Sequence, residues 1–107
     1  MCIRAIVRMS VPPQKMSEVL GFLVSQSHST RYEEGCISCR VYRSEEEKDK
    51  IMIEELWGEE KHLERHLRSS EYKNMLLISE LSSTTPEFTF EKVLTLSGIE
   101  RIFKART

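Results

Sequence analysis

A chain of 107 residues, 39% of them hydrophobic, is sized for one domain that buries about two thirds of the surface its unfolded form exposes. Sixteen Lys and Arg against seventeen Asp and Glu give a formal charge of -1, too weak a positive field for a phosphate backbone, so nucleic acid is not an expected partner. No window approaches the roughly 20 apolar residues of a membrane span, the first residues lack a leader's apolar core, and three cysteines are too few for a disulfide scaffold, so the expectation is a cytoplasmic protein with no membrane partner and reduced thiols.

Cys2 to Met9 alternates, with Ile3, Ala5, Val7 and Met9 on one side, and predicts a strand. Pro12 and Pro13 suit the first turn of a helix, and Met16, Val19, Leu20, Leu23, Val24 and Ser27 then recur at helical spacing. Gly35 marks the expected end of that helix, since glycine takes the left-handed cap conformation. Ile37, Cys39 and Val41 alternate in a second strand, the charged run Ser44 to Lys50 reads as a hairpin turn, and Lys50 to Trp57 alternates in a third strand.

Glu59 and Glu60 then open a short helix whose apolar stripe is Leu63 and Leu67. Ser69 or Ser70 caps a further helix carrying Tyr72, Met75, Leu76 and Leu81. Glu87 to Leu96 makes the last strand, with Phe88, Phe90, Lys92 and Leu94 on one face. Strand, long helix, hairpin, two short helices and strand is the α+β, ferredoxin-like split βαβ with an antiparallel sheet. Several strands carry apolar residues on both faces, so the face without helices invites a second copy, and a homodimer with two sheets packed face to face is expected.

Taken in order, Gly35-Cys36-Ile37-Ser38-Cys39-Arg40-Val41-Tyr42-Arg43, then Glu55-Leu56-Trp57, then His66, Ser70 and Tyr72, the chain resembles the antibiotic biosynthesis monooxygenase family of the dimeric α+β barrel group. The resemblance covers residues 2 to 96, so residues 1 to 96 are read as the domain and 97 to 107 as a C-terminal tail. Ile99, Ile102 and Phe103 suggest that the tail docks, on its own subunit or its partner. The resemblance implies a homodimer with a pocket between each sheet and its helices. In enzymatic members it implies oxidation of a quinol or similar small aromatic by molecular oxygen with no cofactor, neither metal nor flavin. Such chemistry is self-consistent, because an electron-rich phenolate passes an electron to oxygen and the protein need only bind the ring, favour its deprotonation and shelter the radical pair. The alternative is a non-catalytic, ligand-sensing dimer of the same fold.

The resemblance carries His66 over as candidate catalytic base, with Trp57, Tyr72, Arg40 and Glu55 as substrate-binding residues. Trp57 either stacks on a flat ligand or fills the boundary between sheet and helices. His66, three residues after Leu63, sits at the rim of the buried face, as a base for a phenol or as a packing residue, whereas His62 is expected to be more exposed. Arg4, Arg8 and Arg40 hold an anionic substrate or pair with Glu54, Glu55 or Glu91 across the sheet. Polyketide-oxidising relatives carry an amide side chain where this chain has Glu55 or Ile53, and haem-degrading ones carry a histidine in the third helix and an asparagine in strand 1, where this chain has neither. Cys36-x-x-Cys39 with His62-x-x-x-His66 has a zinc-finger look, but 22 residues separate the pairs, against about 12 in a finger, and residues three apart on a strand point to opposite faces. No metal site is expected.

Overall fold

The structure, a computed structural model, describes residues 1–107. In chain order it runs β1 (Cys2–Ser10), α1 (Pro13–Thr30), β2 (Cys36–Arg43), β3 (Lys50–Trp57), α2 (Glu60–Arg68), α3 (Tyr72–Ser79), β4 (Glu87–Val93) and α4 (Glu100–Ala105). Every strand pairing is antiparallel and the order in the sheet is β2-β3-β1-β4, which is the ferredoxin-like α+β fold with α4 appended. No helix is long and apolar enough to cross a membrane.

The core follows from the pleat. Ile3, Ala5, Val7 and Met9 of β1 and Ile51, Ile53, Glu55 and Trp57 of β3 stand on the helix side, and all are buried. α1 lays Met16, Val19, Leu23, Ser27 and Thr30 toward this sheet face, at the three- and four-residue spacing of a helix stripe. Pro13 occupies its first turn, where a missing N–H costs nothing.

The helix stops at Thr30, short of Gly35. In its last turn the hydroxyls of Ser27 and Thr30 donate to the carbonyls of Val24 and Gln26, at 2.7 and 3.0 Å. The chain then tightens through bonds from Tyr32 N–H to Ser29 and from Glu33 N–H to Thr30. Gly35 instead takes φ +84 in the turn that enters β2, and its carbonyl accepts the Gly58 N–H at 2.8 Å, tying the start of β2 to the end of β3. A side chain at Gly35 would overlap the His62 ring. His62 is therefore buried, contrary to the expectation from its place on the helix wheel.

A bulge corrects another expectation. The β2–β3 register shifts between Cys36 and Ser38, so that Cys36 pairs with Trp57 and Cys39 with Glu55. Both cysteines thus face the helices and pack against the core, although they are three residues apart on one strand. Both are free thiols, and no three His, Cys, Asp or Glu side chains converge in a metal-holding arrangement.

The other sheet face bears Ile6, Tyr42, Met52, Leu56 and Val93, and Arg4 crosses it between Glu54 at 4.0 Å and Glu91 at 3.3 Å. No helix covers it. β4 ends at Val93, and α4 beyond it buries no residue: Ile99, Ile102 and Phe103 are all exposed in the single chain.

Candidate active site

Glu55 is the one charged side chain in the buried row of β3, between Ile53 and Trp57, and it is only 6% exposed. Its neighbours across the sheet, Ala5 on β1 and Cys39 on β2, are small. His66 on α2 reaches this position. The buried face of α2 consists of His62, Leu63 and His66, one helical turn apart, so the helix that packs Leu63 beside Ile3 and Trp57 also delivers His66 to Glu55.

The imidazole is 2% exposed and held at both ends. Its Nε2 lies 3.2 Å from Glu55 Oε2, and its Nδ1 lies 2.9 and 3.0 Å from the two carboxylate oxygens of Glu33, in the turn after α1. A neutral ring would aim one lone pair at a carboxylate, so this geometry selects the doubly protonated imidazolium, which donates to both. Burial by itself pushes the His66 pKa down, but the hydrogen bonds and charges of Glu55 and then Glu33 outweigh it, and the net shift is upward. The second oxygen of Glu55 accepts the Trp57 indole N–H at 3.0 Å.

Aromatic rings close the cluster. The Trp57 and His66 ring centres are 4.8 Å apart and tilted, and Tyr72 meets His66 edge-on at 5.2 Å. Ser69 joins the two short helices, donating to the His66 carbonyl at 2.7 Å and accepting the Tyr72 N–H at 3.3 Å, so one hydroxyl positions both rings. Burial, and then the Glu55 charge, push the Tyr72 phenol up to about 12, so it is a hydrogen-bond donor at neutral pH.

Four of the five residues singled out from the sequence, Glu55, Trp57, His66 and Tyr72, meet at one point. Arg40 does not join them. It pairs with Glu54 in the β2–β3 register, on the sheet face away from the helices, and it is exposed. His66 has no free nitrogen, so the proton acceptor beside the cavity is Glu55. Glu33 was not singled out, and its side chain, 37% exposed, gives the cluster its way to solvent.

The cavity beside Glu55 is lined by His66, Tyr72, Cys39 and Ile53, with Leu23, Gln26, Ser27 and Thr30 of α1 and Met75 of α3. Its volume is about 10 Å³, room for a single water. A ring enters only if α1 or α3 side chains move aside.

The family model for antibiotic biosynthesis monooxygenase matches residues 2–76. No match was found among curated protein sequences. Among solved structures, a conserved protein of Methanosarcina mazei is 30% identical, covering 86% of this chain and 92% of its own, with a TM-score of 0.79. The Mycobacterium tuberculosis protein Rv0793 is 23% identical with a TM-score of 0.79, covering 92% of this chain and 100% of its own. A Deinococcus radiodurans protein, described as a candidate antibiotic biosynthesis monooxygenase, is 17% identical with a TM-score of 0.83, covering 91% of this chain and 97% of its own.

Proposed function

Because this chain belongs to the antibiotic biosynthesis monooxygenase family, we propose that it oxidises a quinol or similar small aromatic with molecular oxygen, using Glu55, held against the His66 imidazolium, to take up the substrate's proton. The observation that carries this reading is one imidazole with a carboxylate at each nitrogen, the first lining the cavity and the second reaching solvent. Glu55 accepts the phenolic proton while the His66 imidazolium stays clamped between Glu55 and Glu33, and Glu55 gives that proton back to the departing oxygen when the O–O bond breaks. The phenolate then gives one electron to oxygen, and the radical and superoxide join in a new C–O bond. The O–O bond breaks, one oxygen leaves as water with two hydrogens of the substrate, and a quinol becomes a hydroxyquinone. Tyr72 supplies an aromatic wall and a hydrogen-bond donor, and Trp57, which is fully buried and does not line the cavity, holds the Glu55 carboxylate through its indole N–H.

Oxygen uptake with a panel of reduced quinones tests this reading. Glu55→Gln should lower kcat by about a hundredfold, the ordinary contribution of a positioned base, and Glu33→Gln by less. Absence of turnover by the wild type, or full turnover in Glu55→Gln, would refute it.

A second reading, a dimer of this fold that binds or senses a small ligand without chemistry, needs the same opening of the cavity. Amide NMR shifts at Gln26 and Tyr72 on adding hydroquinone, without oxygen uptake, would select it. In either reading the working unit is a homodimer. Support comes from the apolar residues of the uncovered sheet face and from the solvated Ile102 and Phe103 of α4, the latter seated on the partner. Light scattering checks this: a stable micromolar monomer contradicts it, and Ile102→Glu/Phe103→Glu should weaken the dimer.

A further inference from the structure

α4 is six residues long, shorter than a helix that persists by itself in water. Ile99 at its N-cap, Ile102 and Phe103 stand three and four residues apart on one side, and all three are solvated in the single chain. An apolar stripe on so short a helix needs a surface to rest on. Its own chain supplies none: α4 buries no residue, and the radius of gyration is 15.8 Å, against about 13 Å for a compact chain of this length.

The edge of the sheet offers such a surface on its helix side. β4 is an edge strand, and Phe88 and Phe90 are the ladder partners of Val7 and Ala5, which are buried under the helices. The helices nevertheless leave the two rings 36% and 48% exposed. Between Phe90 and α2 runs a groove of about 400 Å³ whose apolar lining is Ile3, Leu63, Leu67 and Phe90. It opens on the helix side, so two sheets packed through their helix-free faces leave it uncovered.

Groove and helix carry opposite charge. Glu60, Glu64 and Glu91 stand around the groove with a single lysine, Lys92. The segment of α4 carries Arg101, Lys104 and Arg106 against Glu100, whose carboxylate accepts the Gly98 N–H at 2.6 Å. None of these three cations has a carboxylate within 4.0 Å, whereas Arg4, Arg65, Arg68 and Lys92 are all ion-paired.

We propose that α4 of one protomer docks in the α2–β4 groove of its partner, with Ile102 and Phe103 on Leu63, Leu67 and Phe90 and its cations toward Glu60 and Glu64. The six residues from Leu94 to Ile99 span about 20 Å when extended, twice the roughly 10 Å between packed sheets, which is enough to pass around the sheet edge. The proposal rests on the homodimer of the preceding reading and gives that dimer an exchanged arm. Leu63 also packs beside Ile3 and Trp57, so the docked arm braces from outside the helix that carries His66.

The test places a nitroxide on the full chain at Ala105→Cys, with Cys2→Ser so that the only other thiols are the two packed against the core. In one sample the nitroxide chain is mixed with isotope-labelled wild type, and the amides of Leu67 and Phe90 in the labelled copies should broaden. In the other the nitroxide chain is itself isotope-labelled and diluted into excess wild type, and those amides should stay sharp. Phe90→Glu should weaken the dimer by about tenfold or more, the value of one buried ring, and by less when Phe103→Glu is already present. Amide hydrogen exchange along α2 should quicken in Phe103→Glu. Broadening confined to the second sample would seat α4 on its own chain and overturn the proposal. So would a wild-type dimer with no broadening in either sample, full additivity of Phe90→Glu and Phe103→Glu, or unchanged exchange in α2. A stable micromolar monomer would overturn the homodimer and this seat together, whereas each of the other outcomes leaves the homodimer standing.

Discussion

Replacing His66 by Ala removes the cation shared by two carboxylates, and their unequal burial sets the cost. Glu55, 6% exposed, keeps the Trp57 indole bond on one oxygen and loses the partner of the other. Breaking a buried ion pair from one side costs about 3–5 kcal/mol, because the remaining charge is stranded. Glu33 adds little, since its half-exposed side chain turns to water and its pair is screened. Loss of the ring contacts with Trp57 and Tyr72 adds about 0.5–1.5 kcal/mol each where they are not already counted in the pair. The sum, about 4–8 kcal/mol, is a large share of the roughly 5–15 kcal/mol that holds a domain together.

Urea unfolding at pH 7, followed by the fluorescence of the single tryptophan, reads this loss as a lower midpoint at constant slope. The diagnostic variant is the double one. His66→Ala/Glu55→Gln removes the stranded charge as well and should recover about 2–3 kcal/mol relative to His66→Ala, a strong departure from additivity. If the single variant fails to fold, the double variant should still fold. A loss below about 1 kcal/mol in the single variant, or a further loss on adding Glu55→Gln, would refute the picture of an imidazolium clamped between two carboxylates.

The same clamp fixes a pH signature. The folded-state pKa of His66 is raised above its ordinary 6.5, so its stabilisation is complete below about pH 6.5 and is lost as pH rises through the folded value. Wild-type unfolding free energy should fall over that window, and the slope should vanish in His66→Ala/Glu55→Gln. Burial, and then the Glu55 charge, push the Cys36 thiol up to about 11 and the Cys39 thiol up to about 12, which leaves at most about one thiolate in a thousand at pH 8. Iodoacetamide mapping by mass spectrometry should therefore label Cys2 first, and equal labelling of Cys39 would mean that the cavity beside it stands open. Gly35→Ala combines a positive φ, about 1 kcal/mol, with displacement of the His62 ring, about 1–3 kcal/mol, so thermal unfolding should report a loss of about 2–4 kcal/mol. A loss below about 1 kcal/mol would show that the ring has room to move.

Alternation made the sheet legible, because each buried residue on the helix side of β1 and β3 recurs at period two. It could not reveal the bulge near Ile37, since an inserted residue leaves composition and hydropathy unchanged while it moves Cys36 onto the face of Cys39. Nor could it reveal Glu33, whose contact with His66 spans 33 residues and depends on how the turn after α1 closes. Yet half of the cluster had a physical signal. In the row Ile51, Ile53, Glu55, Trp57, a carboxylate points inward among apolar side chains, and a buried charge requires a cation or several donors. Only the elements packed over that row can supply one. Lys61 and Arg65 lie on the exposed side of α2, which leaves the two histidines, and Gly35 takes up the space of His62. Inward Glu55 therefore narrows the choice to the two histidines, and the contact of His62 with Gly35 leaves His66. What it leaves open, the second carboxylate, is the part that decides whether His66 acts as a base or as a fixed cation clamped between two carboxylates.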